Sequence, residues 1–342
     1  MFSDAEFNAK HHLGAINSIN FARILAQIVY YFSAYFQLCK QLSVAPSDSA
    51  IADKVNIQFL VPTGNFGDVL AGYYAKRLGV PIKGGLVVAT NENDILQRFW
   101  ASGRYEKASS DVDLVVNQTL PAAGSSDDAQ DQAQAQILGG VKQTLSPAMD
   151  ILVSSNFERL LWYVAFETLG QDAEKAGQRV KGWMEDLKEA GKMEVTPQQL
   201  ELAKRDFSAQ RVSDRQTRET IQRYYVTSPP YLLDPHTAVA MQAANRIAGD
   251  HNQVVLSTAH PAKFAEAVTS ALVSSGVKFD FARDVLPAEM RGLLQKKRRV
   301  GDIKVADGGE SEALPSLIKA TAKVLEREAG RKVGVSMAVN YT

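Results

Sequence analysis

The chain has 342 residues, and its 38 Lys and Arg are balanced by 38 Asp and Glu. Zero formal net charge argues against a dedicated nucleic-acid binder, which carries a basic excess. A composition of 45% hydrophobic and 22% charged residues excludes a disordered chain or a low-complexity fibre.

The single cysteine, Cys39, rules out an intrachain disulfide and a cysteine-based zinc site, and it fits a reducing, cytoplasmic setting. The opening residues MFSDAEFN lack a basic segment followed by an apolar core, so no signal peptide is expected. From Asn20 onward Phe21, Ile24, Leu25, Ile28, Val29, Phe32, Tyr35 and Phe36 recur at helical spacing, capped by Asn20 or Ser18. Apolar residues on more than one face predict a helix sandwiched between other elements. Arg23, Gln27, Ser33 and Gln37 within that stretch argue against a membrane span.

Ile57–Val61, ended by Pro62, reads as a buried strand, followed by a glycine-containing turn at Thr63–Gly67 and a helix opened by Asp68. Leu86–Ala89 reads as the next strand and Glu92–Trp100 as the next helix. This alternation predicts an α/β protein with a mostly parallel open sheet and helices on both faces. Residues 117–143, rich in Ala, Gly, Ser, Asp and Gln, read as a solvated loop that separates a segment 1–116 from a segment 144–342. Phe157 to about Tyr224 reads as a charged helical stretch, interrupted near Gly191 and Pro197. Val254–Ser257 reads as a further strand, and Pro261–Ser274 as a helix. Lys296-Lys297-Arg298-Arg299 reads as a solvated face rather than a nuclear-localisation signal.

Three segments carry chemistry. Pro62-Thr63-Gly64-Asn65-Phe66-Gly67-Asp68, between a strand and a helix, can turn backbone N–H groups toward one anion, helped by the helix terminus. It lacks the Walker lysine and the three-glycine dinucleotide spacing, and an ordinary tight turn fits it as well. Asn17, Ser18 and Arg23 place an amide, a hydroxyl and a guanidinium at a helix start, where they serve either a phosphate or helix capping. Ser257-Thr258 follows a strand at the end where open α/β sheets bind ligands, and His260 before Pro261 reads as a loop or capping residue. Asp234-Pro235-His236-Thr237 reads as a turn with Thr237 as helix cap. No His-x-x-x-His pair, acidic cluster or Gly-x-Ser-x-Gly elbow supports metal or serine hydrolysis.

Taken together, NSINFARILAQIVYYFSAYFQL (17–38), VPTGNFGDVLAGYY (61–74), ATNENDIL (89–96), TLSPAMDILVSSNFERL (144–160), DPHTAVA (234–240) and STAHPAKF (257–264) resemble the fungal-type long form of threonine synthase. The resemblance implies a fold-type II pyridoxal-phosphate architecture, like that of tryptophan synthase β, and conversion of O-phospho-L-homoserine and water to L-threonine and phosphate. It implies that Gly64, Asn65, Phe66 and Asp68 lie at the cofactor phosphate, that Thr258 offers its hydroxyl to the pyridine nitrogen, and that Asn17, Ser18 and Arg23 meet the substrate phosphate. Segment 1–116 is then a portion of the cofactor domain, and 144–342 its remainder with a charged helical insertion.

The family's Schiff-base lysine, in a Phe-Lys-Asp context, and its Thr-Ser-Gly-Asp-Thr-Gly loop have no counterpart in the sequence; Lys10 and Lys83 lie nearest in position to useful loops. The resemblance therefore implies the C-terminal two-thirds of such an enzyme, without turnover on its own. A non-catalytic binder of pyridoxal phosphate or of phosphate, and another fold-type II lyase such as a β-replacing enzyme, remain as alternatives. The pair Asn17-Ser18 with Arg23 separates the last of these, because only a phosphorylated substrate needs a second phosphate site.

Overall fold

The computed structural model describes residue 9 and residues 17–107, 137–138, 140–273, 278–292, 295–297 and 321–324. The chain divides into a compact unit of residues 18–289 and a second unit of residues 1–17 with 290–342. Most of the loop expected at 117–143 lies outside the described residues, as do Arg298 and Arg299, whereas Lys296 and Lys297 are exposed.

In the first unit, helix α1 (Phe21–Gln41) is followed by the short α2 (Ile51–Val55) and strand β1 (Ile57–Pro62). Helix α3 (Gly67–Arg77), β2 (Leu86–Thr90), α4 (Ile95–Ser102) and β3 (Arg104–Glu106) come next. Then follow α5 (Phe157–Thr168), α6 (Ala173–Glu189), β4 (Lys192–Glu194), α7 (Pro197–Asp206), β5 (Phe207–Arg211) and α8 (Asp214–Val226). Helix α9 (Pro235–Arg246), β6 (Asn252–Val255), α10 (Ala265–Val273) and α11 (Phe281–Asp284) complete it. Four parallel strands pair in the order β5-β2-β1-β6, and β3 pairs antiparallel with β4.

Alternation along the central strands builds two cores. Ile57, Phe59 and Val61 of β1 with Leu86 and Val88 of β2 join the aromatic core beneath α1, α3, α4 and α5. Leu60, Val87 and Ala89 face the other way, against Val239, Ala240, Ala243 and Ala244 of α9. The small alanines let α9 approach the sheet closely. Central parallel strands are covered on both faces, which is why β1 and β2 read as continuous apolar runs. Gln58, the polar exception in β1, is buried and donates to Gly84 O at 2.8 Å.

Three expectations change. The charged stretch after Phe157 is not helical throughout: Phe207–Arg211 forms the edge strand β5 beside β2. Its sequence, FSAQR, has one fully buried apolar residue, so it shows no run of the kind that marks β1. Among the described residues, helix α1 is not sandwiched. It buries Ile24, Tyr31, Tyr35 and Cys39, while Phe21, Leu25, Val29 and Phe36 are about half exposed or more on another side. Past Pro261 the chain makes a 3-10 turn, Pro261–Lys263, before α10 starts at Ala265. Among the described residues no helix is long and apolar enough to cross a membrane.

Candidate active site

Two of the three expected ligand-binding segments lie at the carboxyl ends of adjacent parallel strands, where an open α/β sheet leaves its crevice. Beyond β1 the chain turns through Thr63–Phe66 into α3. Beyond β6 it continues alongside, with Leu256 N–H donating to Leu60 O at 3.0 Å, and reaches Thr258 two residues later.

The turn after β1 is held by backbone contacts. A Cβ on Gly64 would lie 2.9 Å from both Ala148 O and Met149 Cα, so only glycine fits beneath that segment. The Gly64 carbonyl accepts from Ser154 Oγ at 2.8 Å, and the Asn65 carbonyl from Asn156 N at 3.2 Å and Nδ2 at 2.7 Å. In a trans peptide the next N–H points opposite to the carbonyl, so the Asn65 and Phe66 N–H groups face away from residues 154–156. They have no acceptor among the described residues. Phe66 sits at φ 60°, a left-handed conformation that costs a bulky residue ~1–2 kcal/mol. Its buried ring, packed on Trp100, Phe157 and Phe207, holds that geometry. Helix α3 begins there without a capping side chain, leaving its first N–H groups for an anion. The expected Asp68 start moves to Gly67, and Asp68 takes the next position in the first turn.

Asp68 is partly buried, and the Tyr31 hydroxyl donates to its backbone oxygen at 2.8 Å and to Oδ1 at 3.4 Å. Burial raises its carboxyl from the ordinary 3.8 to about 7, against the smaller lowering by the Tyr31 hydrogen bond. With the folded value above the unfolded one, folding favours the neutral acid; that stability is full below about pH 4 and lost as pH rises through about 7. After discounting for partial exposure, Asp68→Asn is expected to recover ~1–2 kcal/mol at pH 8 relative to pH 5. Urea midpoints of both proteins at the two pH values check this. An unchanged slope in the variant would rule it out; the slope expected to remain belongs to Asp214, which burial and the nearby Glu92 and Asp150 raise to about 6.

Thr258 is exposed, and its hydroxyl has no partner among the described residues, while its N–H donates to Thr237 Oγ1 at 3.3 Å. The DPHT turn has more structure than its sequence suggested. Asp234, not Thr237, caps α9, accepting from His236 N at 2.9 Å and Thr237 N at 3.4 Å. His236, also buried, accepts at Nε2 from Ala148 N–H at 3.2 Å and meets Asp234 Oδ1 through Nδ1 at 3.0 Å. This turn therefore ties the strand end bearing Thr258 to the segment pressed on Gly64. His260 is a cap, accepting from Ala262 N at 3.1 Å.

Among the substrate-side candidates, Ser18 is held against the loop: Asn156 Nδ2 donates to its carbonyl at 2.9 Å. Arg23 is exposed and makes no ion pair among the described residues. Asn17 is exposed and belongs to the second unit. Asn20 is the residue that caps α1. Sequence reasoning passed over Ser154, Asn156, Asp234 and His236 as site-shaping residues, because Ser, Asn and Asp before a helix announce caps. On the far side of β2, Asn91 Nδ2 donates to Asp150 Oδ1 and Thr144 Oγ1, each at 2.7 Å, and anchors the 144–150 segment over the turn. Among the described residues no group of three or more His, Cys, Asp and Glu could hold a metal ion.

Known proteins resemble this chain in sequence and in fold. The family described as threonine synthase, C-terminal, matches residues 237–314. Threonine synthase of Saccharomyces cerevisiae is 45% identical over 316 residues, which cover 90% of this chain and 53% of that protein. The crystal structure of threonine synthase from yeast aligns with a TM-score of 0.75 at 41% identity, over 96% of this chain and 56% of that one. Threonine synthase from Brucella melitensis with pyridoxal phosphate bound aligns with a TM-score of 0.69 at 36% identity, over 96% and 55% of the two chains. The architecture is thus that of the fold-type II pyridoxal-phosphate enzymes. Within that class, by sequence and by fold, the chain is similar to the threonine synthases of Saccharomyces cerevisiae and Brucella melitensis. It spans about half the length of the curated relatives it matches, less than the two-thirds expected.

Proposed function

We propose that the chain carries the cofactor-phosphate loop, the pyridine-side hydroxyl and the substrate-phosphate turn of an enzyme that converts O-phospho-L-homoserine and water to L-threonine and phosphate. The observation that carries this reading is the uncapped start of α3, with the Asn65 and Phe66 N–H groups unengaged, on the strand adjacent to the one that leads to Thr258. Pyridoxal phosphate, when bound, supplies an electron sink for carbanions of the amino-acid substrate.

The chain's own residues would divide the work. Backbone N–H groups of Asn65 and Phe66, with the α3 terminus, hold the cofactor phosphate, and Gly64 admits the 148–149 segment that shapes the turn. Thr258 meets the ring nitrogen with a neutral hydroxyl. Ser18 and the exposed Arg23 guanidinium receive the substrate phosphate. Proton transfer at the substrate carbons needs a repositionable base, and no lysine in these 342 residues stands in the Phe-Lys-Asp context.

A second reading, a pyridoxal-phosphate-binding protein without turnover, is favoured by that same lack in the sequence. One experiment addresses both. Fluorescence titration of the purified chain with pyridoxal phosphate is expected to show saturable binding, weakened about tenfold in Thr258→Val and retained in Thr258→Ser. Threonine release from O-phosphohomoserine is expected to be at background. Saturable binding that is indifferent to Thr258 would overturn the cofactor assignment. Turnover near that of a working enzyme would overturn the need for an outside base.

A further inference from the structure

Asn156 occupies the N-cap position of α5, yet its side chain makes no capping hydrogen bond. The side chain is fully buried. Both of its amide hydrogens are spent elsewhere, on Ser18 O at 2.9 Å and on Asn65 O at 2.7 Å. Ser18 belongs to the turn read as the substrate-phosphate side, and Asn65 to the loop read as the cofactor-phosphate side. Arg159, on the same helix, takes the next carbonyl, donating from Nη2 to Ile19 O at 2.9 Å, with its guanidinium 5.6 Å from the Phe21 ring centroid. Asn156 Oδ1 is buried with no partner among the described residues. An amide kept in such a place, giving up both the cap and the acceptor, is held there by the two carbonyls it joins.

We propose that Asn156 is a positioning residue that fixes the substrate-phosphate turn to the cofactor-phosphate loop, so that a ligand ordering one turn raises the affinity of the other. The inference rests on the functional reading above. Its physical basis is shared ordering: a ligand that immobilises Asn65–Asp68 also immobilises Ser18 through one amide, and the second ligand then meets a turn already ordered.

The test is a coupling measurement on the full chain. O-phospho-L-homoserine is titrated by calorimetry without and with saturating pyridoxal phosphate, in the parent and in Asn156→Asp. That variant keeps the shape but sets an oxygen against both carbonyls. The parent is expected to bind O-phosphohomoserine about tenfold tighter when the cofactor is present, and the variant to lose that factor. A readout that needs no variant accompanies it: pyridoxal phosphate added to the parent is expected to slow amide exchange at Ser18–Asn20 as well as at Asn65–Asp68.

Coupling retained in Asn156→Asp, or protection confined to Asn65–Asp68, overturns the positioning role and leaves the functional reading standing. A parent chain with no saturable pyridoxal-phosphate binding removes the functional reading, and this inference with it.

Discussion

Phe157→Ala is expected to lower the stability of the first unit by about 3–5 kcal/mol, the usual cost of emptying a buried aromatic position. Phe157 is 1% exposed and lies 4.8 Å from Phe99, 4.9 Å from Tyr105, 5.3 Å from Phe66 and 5.6 Å from Trp100, centroid to centroid. These rings come from three separate elements, the turn at Phe66, helix α4 and strand β3, so no local shift closes the cavity. Edge-to-face geometry adds ~0.5–1.5 kcal/mol per pair beyond buried area. The consequence extends to the site, because Phe66 holds its left-handed backbone through its own ring, and Phe157 is part of what that ring rests on. Denaturant midpoints check the first part, with Phe157→Leu expected to lose roughly half as much. A loss below about 1 kcal/mol for the alanine variant would show that the cluster repacks and that Phe66 does not depend on it.

The fold was legible where burial is two-sided. Strands β1 and β2 are covered on both faces, and continuous apolar runs such as Phe59-Leu60-Val61 and Leu86-Val87-Val88 follow directly from that. Strand β5 was not legible, because an edge strand needs backbone pairing more than apolar residues, and Ser208, Ala209 and Gln210 do not announce it. Helix α1 shows the converse. Its apolar residues were read as two buried faces, but burial is a property of what packs against a helix, and only one face has a partner within the described residues.

The candidate site divides along similar lines. The glycine turn and Thr258 could be found because they follow strands at the end where such sheets bind ligands. Asn156, Asp234 and His236 could not, since their roles are contacts with Ser18, Asn65, Thr237 and Ala148 that lie far away or depend on side-chain direction. A residue such as Asn156 before a helix reads as a cap, and nothing local reveals that its amide points elsewhere.

Asp234→Ala is expected to cost about 3–7 kcal/mol, made up of one lost helix cap at ~1 kcal/mol and two buried side-chain donors left without acceptors at ~1–3 kcal/mol each. Asp234 is 2% exposed, and its carboxylate accepts from the His236 and Thr237 backbone N–H groups, from His236 Nδ1 and from the Thr237 hydroxyl. The proton assignment on His236 follows from the network: Nε2 accepts from Ala148 N–H, so Nδ1 carries the hydrogen and donates to Asp234. Thr237 gives its one hydroxyl hydrogen to Asp234 and so keeps a lone pair for the Thr258 N–H. One carboxylate thereby orients two groups, one that steadies the strand end bearing Thr258 and one that holds the segment over Gly64. Asp234→Asn keeps an oxygen for the cap and for His236 while replacing the other oxygen with a donor that Thr237 can accept, so a loss of about 1 kcal/mol is expected. Chemical denaturation of the two variants separates these values, and amide exchange at Thr258 is expected to rise in the alanine variant far more than in the asparagine variant. Equal destabilisation by the two substitutions would mean that charge rather than hydrogen-bond geometry holds the turn, and the link from Asp234 to Thr258 would then be incidental.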